Sequence, residues 1–149
     1  MGGIWFRRVV ASLCVAVLSG CASVPMMAPE EDTKAKSFAV QPGKSNIYIY
    51  RNESMGAVVT MPVSVNGRVI GRTAAKTYLL LEVEPGSYEL ASLTENTSTY
   101  KLTAQPGRNH FVWQEVKMGA FSARSALSEV DETTGRAGVA ECKRIQTSF

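Results

Sequence analysis

The sequence predicts a mainly β protein, with an antiparallel, sandwich-like β-domain closed by a short C-terminal helix. Three observations predict it. From Ser45 onward, short β-branched and aromatic runs begin at intervals of about ten to twenty residues. Turn signals separate them: Asn66-Gly67 and the pairs Pro42-Gly43, Pro85-Gly86 and Pro106-Gly107. The helical candidate stands at the end, behind Asp131.

The N-terminal segment has another character. Arg7 and Arg8 precede an apolar run, Val9 to Leu18. At about ten residues the run matches a signal-peptide core and is too short to span a bilayer. Ser19 and Gly20 then lead to Cys21. Small residues let the backbone lie extended in a peptidase groove, and a thiol can take a diacylglycerol. Leu18-Ser19-Gly20-Cys21 resembles the lipobox of bacterial lipoproteins. The resemblance implies that residues 1–20 are a signal peptide cleaved before Cys21, and that Cys21 is the lipidation site. A structural thiol at Cys21 is the bland alternative. Charge, apolar length, small residues and cysteine all agree with the lipid. The membrane would then be met through the anchor on Cys21. In that family, Asp directly after the cysteine tends to hold a lipoprotein in the inner membrane. Ala22 therefore points to the outer membrane of a two-membrane host, facing the periplasm.

The full chain of 149 residues carries 16 Lys plus Arg and 13 Asp plus Glu. Arg7 and Arg8 would leave with the leader, so 14 basic residues face 13 acidic ones, a formal balance of +1. Such a chain has no electrostatic case for nucleic acid. Of the three cysteines, the lipobox resemblance implies that Cys14 would leave with the leader and Cys21 would be acylated. Cys142 remains alone and is expected to be buried as a small hydrophobe.

Residues 21–37 read as a lipidated tether. Pro25, Pro29 and the cluster Glu30-Glu31-Asp32 show no helical or strand period. The β-domain occupies residues 38–149. Ile47-Tyr48-Ile49-Tyr50 marks a strand over Ser45 to Arg51. Met61, Val63 and Val65 alternate with other residues, and Pro62, which cannot donate to a ladder, marks an edge position. Asn66-Gly67 turns the chain into a return strand, Arg68 to Arg72, which Gly71 weakens or bulges. Thr77 to Val83 places Leu79, Leu81 and Val83 on one face and Tyr78, Leu80 and Glu82 on the other. Ser87 to Leu93, Thr99 to Thr103 and Asn109 to Val116 follow, and Phe121 to Val130 makes a last strand. Asp131 or Thr133 caps a helix running to about Lys143. Gly135 and Gly138 weaken it, and Val139, Cys142 and Ile145 share the face that docks on the sheet. The wording Gln-Pro-Gly-Lys/Arg recurs at residues 41–44 and 105–108. A shared turn chemistry explains so short a match better than an internal repeat does.

The stretch Val63 to Gly71, with Leu79 to Tyr88, resembles the PEGA-type β-domain. It is also similar to a broad group of uncharacterised bacterial lipoproteins that carry such a domain after the lipobox. The resemblance spans roughly Ser45 to Val116. It implies a fold and transfers no catalytic residue.

The chemistry-bearing residues are sparse. His110 would have to serve any Ser-His-Asp or Cys-His apparatus, and nothing in the order of Ser, Asp or Glu indicates its partners. A surface or hydrogen-bonded histidine is the simpler reading. One His with one free Cys is short of a zinc set. No cofactor and no metal is therefore expected, and no catalytic residue is assigned. Tyr48, Tyr50, Tyr88, Tyr100, Phe111 and Trp113 fall in strands. They either fill the sandwich core, the preferred reading, or line a groove for glycan or peptide. The resulting expectation is a cell-envelope lipoprotein with a non-catalytic binding or structural role, partnered by an envelope protein or glycan. A small-molecule or glycan binder is the alternative, and an envelope hydrolase comes third.

Overall fold

The structure is a computed structural model and describes residues 23–149. The expected signal peptide, residues 1–20, and the expected lipidation site, Cys21, lie outside the described residues. The elements in order are α1 (Pro29–Ala35), β1 (Ser45–Arg51), β2 (Met61–Val65), β3 (Arg68–Thr73), β4 (Thr77–Val83), β5 (Gly86–Leu93), β6 (Thr97–Ala104), β7 (Asn109–Met118), β8 (Ala123–Val130), α2 (Glu132–Ala140) and β9 (Lys143–Arg144). They form two sheets, ordered β8-β7-β1-β4-β9 and β3-β2-β5-β6. The fold is mainly β, a two-sheet sandwich with a short helix near the C-terminus.

The alternation Ile-Tyr-Ile-Tyr in β1 decides the layering. Ile47 and Ile49 pack between the sheets with Val63, Ile70, Leu79, Leu81, Leu90 and Leu102. Tyr48 and Tyr50 point the other way, into a second cluster with Tyr78, Phe111, Val139 and Cys142. All seven residues of β1 are buried, because a sheet covers one face and the helices cover the other. Tyr48, Tyr50 and Phe111 thus fill the layer under the helices rather than the sandwich core. Tyr48 stacks on Phe111 at 5.1 Å between centroids, and Phe38 closes on both. This corrects the expected placement.

Three further expectations are adjusted. β1 pairs with β4 antiparallel but with β7 parallel, so the first sheet is mixed. The recurring Gln-Pro-Gly motif explains the arrangement. The turns at 41–44 and 105–108 feed these two parallel neighbours and bond each other: Gly107 N–H donates to Lys44 O (2.7 Å) and Asn46 N–H to Arg108 O (3.0 Å). β2 is interior rather than an edge, and its ladder with β5 starts at Val63, so Pro62 sits beyond its end. The C-terminal helix stops at Ala140, and Lys143–Arg144 pairs with β4 in parallel. Ile145 consequently leaves the helix face and enters the inter-sheet core.

Residues 29–35, within the span expected to be a tether (21–37), form α1. Pro29 at the first position and Glu30, Glu31 and Asp32 in the first turn suit a helix N-terminus. Seven residues are too few to be helical alone. α1 is held by Asp32, whose carboxylate accepts from Tyr78 Oη (2.8 Å), Lys36 Nζ (3.0 Å) and Arg144 N–H (3.0 Å). Burial pushes against ionisation of Asp32, yet these hydrogen bonds hold its carboxyl below the usual range.

The β2–β3 hairpin has the expected turn, with φ of 49° at Asn66 and 82° at Gly67. A Cβ at Gly67 would meet nothing within 4 Å, so substitution there tests backbone strain alone. Gly67→Val should cost about 1 kcal/mol or more, because a β-branched residue resists positive φ. Chemical denaturation checks this, and an unchanged midpoint would reject the turn.

Candidate functional site

At one end of the sandwich three loops meet: 52–60, 94–96 and 119–122. This end displays Met55 (52% exposed), Val58 (74%), Met118 (84%) and Phe121 (99%). These side chains surround a shallow cleft of about 410 Å³ floored by Val59 and Val116. Scattered exposed apolar residues are ordinary, whereas a contiguous cluster marks a contact surface.

The loops are held from beneath by charged groups. Arg51 is fully buried at the end of β1. Its Nη1 donates to Val59 O (2.9 Å), and its Nη2 donates to Met55 O (3.2 Å) and Gly56 O (2.6 Å). Burial lowers the pKa of this guanidinium, and the charge of Glu53 opposes the shift. Glu53 also accepts from Val116 N–H (2.6 Å), extending the hydrogen bonding past the end of β1. Glu95 accepts from Phe121 N–H (2.8 Å), Ala120 N–H (3.0 Å) and Ser122 N–H (2.8 Å). Those three donors hold its carboxyl below the usual range.

Below the loops a buried polar chain crosses the two sheets. Thr73 Oγ1 donates to Gln114 Oε1 (2.5 Å), Gln114 Nε2 donates to Ser92 Oγ (2.6 Å), and Ser125 Oγ donates to Ser92 Oγ (2.6 Å). Such a network, being satisfied, fixes register and rigidifies what it supports. The tip is therefore a stiff platform.

His110 lies roughly 26 Å from Met118 by strand rise along β7. It is buried and engaged on both ring nitrogens. Gln105 N–H donates to Nε2 (3.1 Å), so the proton sits on Nδ1, which faces Glu129 Oε1 (2.8 Å). Tyr100 Oη donates to the other Glu129 oxygen (2.8 Å). The cluster staples β6 to β8 and the 105–108 turn, leaving neither imidazole nitrogen open. Sequence alone does not point to these partners.

Cys142 is buried beside Arg51 O (3.5 Å), and burial pushes its thiol up to about 12, well outside the reactive range. Tyr48, Tyr50 and Phe111 are at most 2% exposed, and of the three only Tyr48 borders a surface cavity, one shared with Leu80, Glu82 and Arg144. Among the described residues, no three His, Cys, Asp or Glu side chains converge as for a metal, and no helix is long and apolar enough to cross a membrane.

Sequence reasoning misses the tip. Phe121 reads as the start of a strand, whereas β8 begins at Ala123. The available signal is large apolar residues beside glycine in non-alternating stretches, Met55-Gly56 and Met118-Gly119-Ala120-Phe121.

A family model described as "Protein of unknown function (DUF2846)" matches residues 41–126, a span that contains all three tip loops. A curated Haemophilus influenzae protein, described as an uncharacterized protein, is 28% identical over 127 residues. That match covers 84% of this chain and 76% of the relative. No solved structure matches.

Proposed function

The chain belongs to the DUF2846 family, and we propose that it is a lipid-anchored protein of the bacterial cell envelope with a non-catalytic binding or structural role, exercised through the tip. The observation that carries this reading is the tip itself: four exposed apolar side chains, three on loops and Met118 at the end of β7, where a buried arginine and two carboxylates hold the loops. The polar groups best suited to chemistry have structural duties. His110 is bonded on both nitrogens, Asp32 anchors α1, and Cys142 is buried. The lipobox at Leu18 to Cys21 supports lipidation of Cys21, Ala22 supports the outer membrane, and the turn wording of β2 to β5 supports a PEGA-like domain.

A photo-crosslinking residue placed at Val58 in intact cells tests the reading. We expect adducts from Val58 and none from Lys101, an exposed β6 position outside the tip. Phe121→Asp should abolish the Val58 adducts, and His110→Ala should leave them in place. Adducts that persist in Phe121→Asp would remove the tip from the function. Mass spectrometry of the mature N-terminal peptide should show a diacylglyceryl Cys21, and Cys21→Ser should accumulate as precursor.

A further inference from the structure

We propose that the β3 edge of the second sheet lies against the lipid headgroups, held there by a leash of two residues between the described domain and the acyl chains on Cys21. This inference rests on the reading that Cys21 carries the lipid, and it names the face of the domain that the membrane meets.

The start of the described chain is fixed to the domain. Gln146 N–H donates to Pro25 O (2.9 Å), Met27 N–H donates to Arg144 O (3.0 Å), and Gln146 Nε2 donates to Met26 O (3.2 Å). Val24 packs against the inter-sheet core. Residues 24–27 are therefore not slack. Cys21 and Ala22 precede Ser23, and two residues of chain span at most about 7 Å whatever their conformation. A flexible tether over residues 21–37 would instead have a root-mean-square reach of about 23 Å.

Ser23 sits in the wall of a surface cavity of about 600 Å³. Val69, Ile70 and Arg72 of β3 form another wall. Residues 145–148 close it, with Ser148 N–H bonded to Ile70 O (2.8 Å). A lipid on Cys21 brings this edge to the bilayer ahead of β6, the opposite edge of the same sheet, three strand spacings or about 14 Å away. The chemistry of the face suits that position. Val69 is 47% exposed and Phe149, next to Ser148, is 54% exposed. Arg72 is the only charged side chain among the described residues of the cavity wall, so no carboxylate side chain there repels lipid phosphates. Chain length selects the occupant: the bilayer that holds the lipid is the body within reach of Ser23.

The test uses the protein purified from membranes, carrying either Val69→Cys or Lys101→Cys on β6. An acylated Cys21 has no thiol and Cys142 is buried, so a thiol-reactive fluorophore should enter only at the introduced position. The labelled proteins are reconstituted in phosphatidylcholine and phosphatidylglycerol vesicles containing a headgroup-nitroxide lipid. We expect strong quenching at position 69 and little at position 101. A flexible Gly/Ser insert of about ten residues between Ala22 and Ser23, with a reach of about 17 Å, should abolish that difference while the protein stays on the vesicles. Equal quenching at the two positions without the insert would overturn the proposal, as would a difference that survives the insert. A parent protein that takes label at Cys21 and leaves the vesicles would remove the lipid anchor and this inference with it. An unlabelled parent that stays on the vesicles, with no quenching in Val69→Cys, would keep the anchor and reject the face.

Discussion

Arg51→Met should destabilise the protein by about 3 kcal/mol and disorder the 52–60 loop. Methionine conserves much of the volume, so a purely packing role would leave stability nearly unchanged. The structure indicates a larger loss. The guanidinium fork satisfies three carbonyls at once, those of Val59, Met55 and Gly56. A carbonyl that loses its donor while shielded from water costs about 1–3 kcal/mol, and these three are part-buried, so the loop can turn some of them to water. Glu53 would also lose the cation that faces it, which adds to the loss. In a domain of this size the expected effect is a fall in Tm of roughly 10 °C. Arg51→Lys should recover little, because an ammonium cannot span three acceptors in fork geometry. Thermal unfolding reads the stability, and amide exchange of residues 52–60 reads the loop. A methionine variant that melts with the parent would show that the buried charge does not organise the tip.

Arg51 also marks the limit of what the sequence discloses. Alternation and turn residues make the strands legible. β1, β2 and β4 begin and end at the expected residues, and Asn66-Gly67 makes the expected turn. Period-2 patterning tells which side chains share a face, and β1 and β4 obey it. It cannot tell what covers that face, which is why patterning alone assigns Tyr48, Tyr50 and Phe111 to the sandwich and not to the helix layer. Long-range polar contacts leave no local signature. Asp32 reads as part of a solvated acidic run, and its anchors, Tyr78 and Arg144, lie 46 and 112 positions away. Arg51 reads as an ordinary charged strand end. The tip is hidden for the same reason. It is assembled from separate loops, and their apolar residues resemble strand ends when each loop is read alone.

Gly138→Ala should destabilise the protein, opposite in sign to the usual effect of alanine in a helix. Replacing an interior helical glycine by alanine ordinarily gains about 1 kcal/mol, through lower unfolded-state entropy and better helix propensity. Here α2 lies so close to the sheet that a Cβ at Gly138 would stand 2.2 Å from Cε2 of Tyr50, and one at Gly135 2.1 Å from Cγ of Phe111. Neither ring can yield cheaply. Tyr50 and Phe111 are almost wholly buried, and Phe111 is stacked on Tyr48. The helix would have to rise from the sheet, opening the layer that also holds Val139 and Cys142. Overpacking of this kind costs about 1–3 kcal/mol per site. That matches or exceeds the propensity gain, so the net sign is unfavourable, and Gly135→Ala with Gly138→Ala should be worse than either alone. The N-cap provides the control. Asp131 accepts from Thr134 N–H (2.9 Å) and is independent of the sheet. Asp131→Ala should therefore cost only the usual loss of a cap, about 1 kcal/mol, without exposing the aromatic layer. Thermal unfolding combined with the reactivity of the Cys142 thiol separates the two cases. The glycine variants should make Cys142 accessible to alkylation in the folded protein, and Asp131→Ala should not. Glycine variants that melt higher than the parent would mean that α2 is not packed against Tyr50 and Phe111 as described.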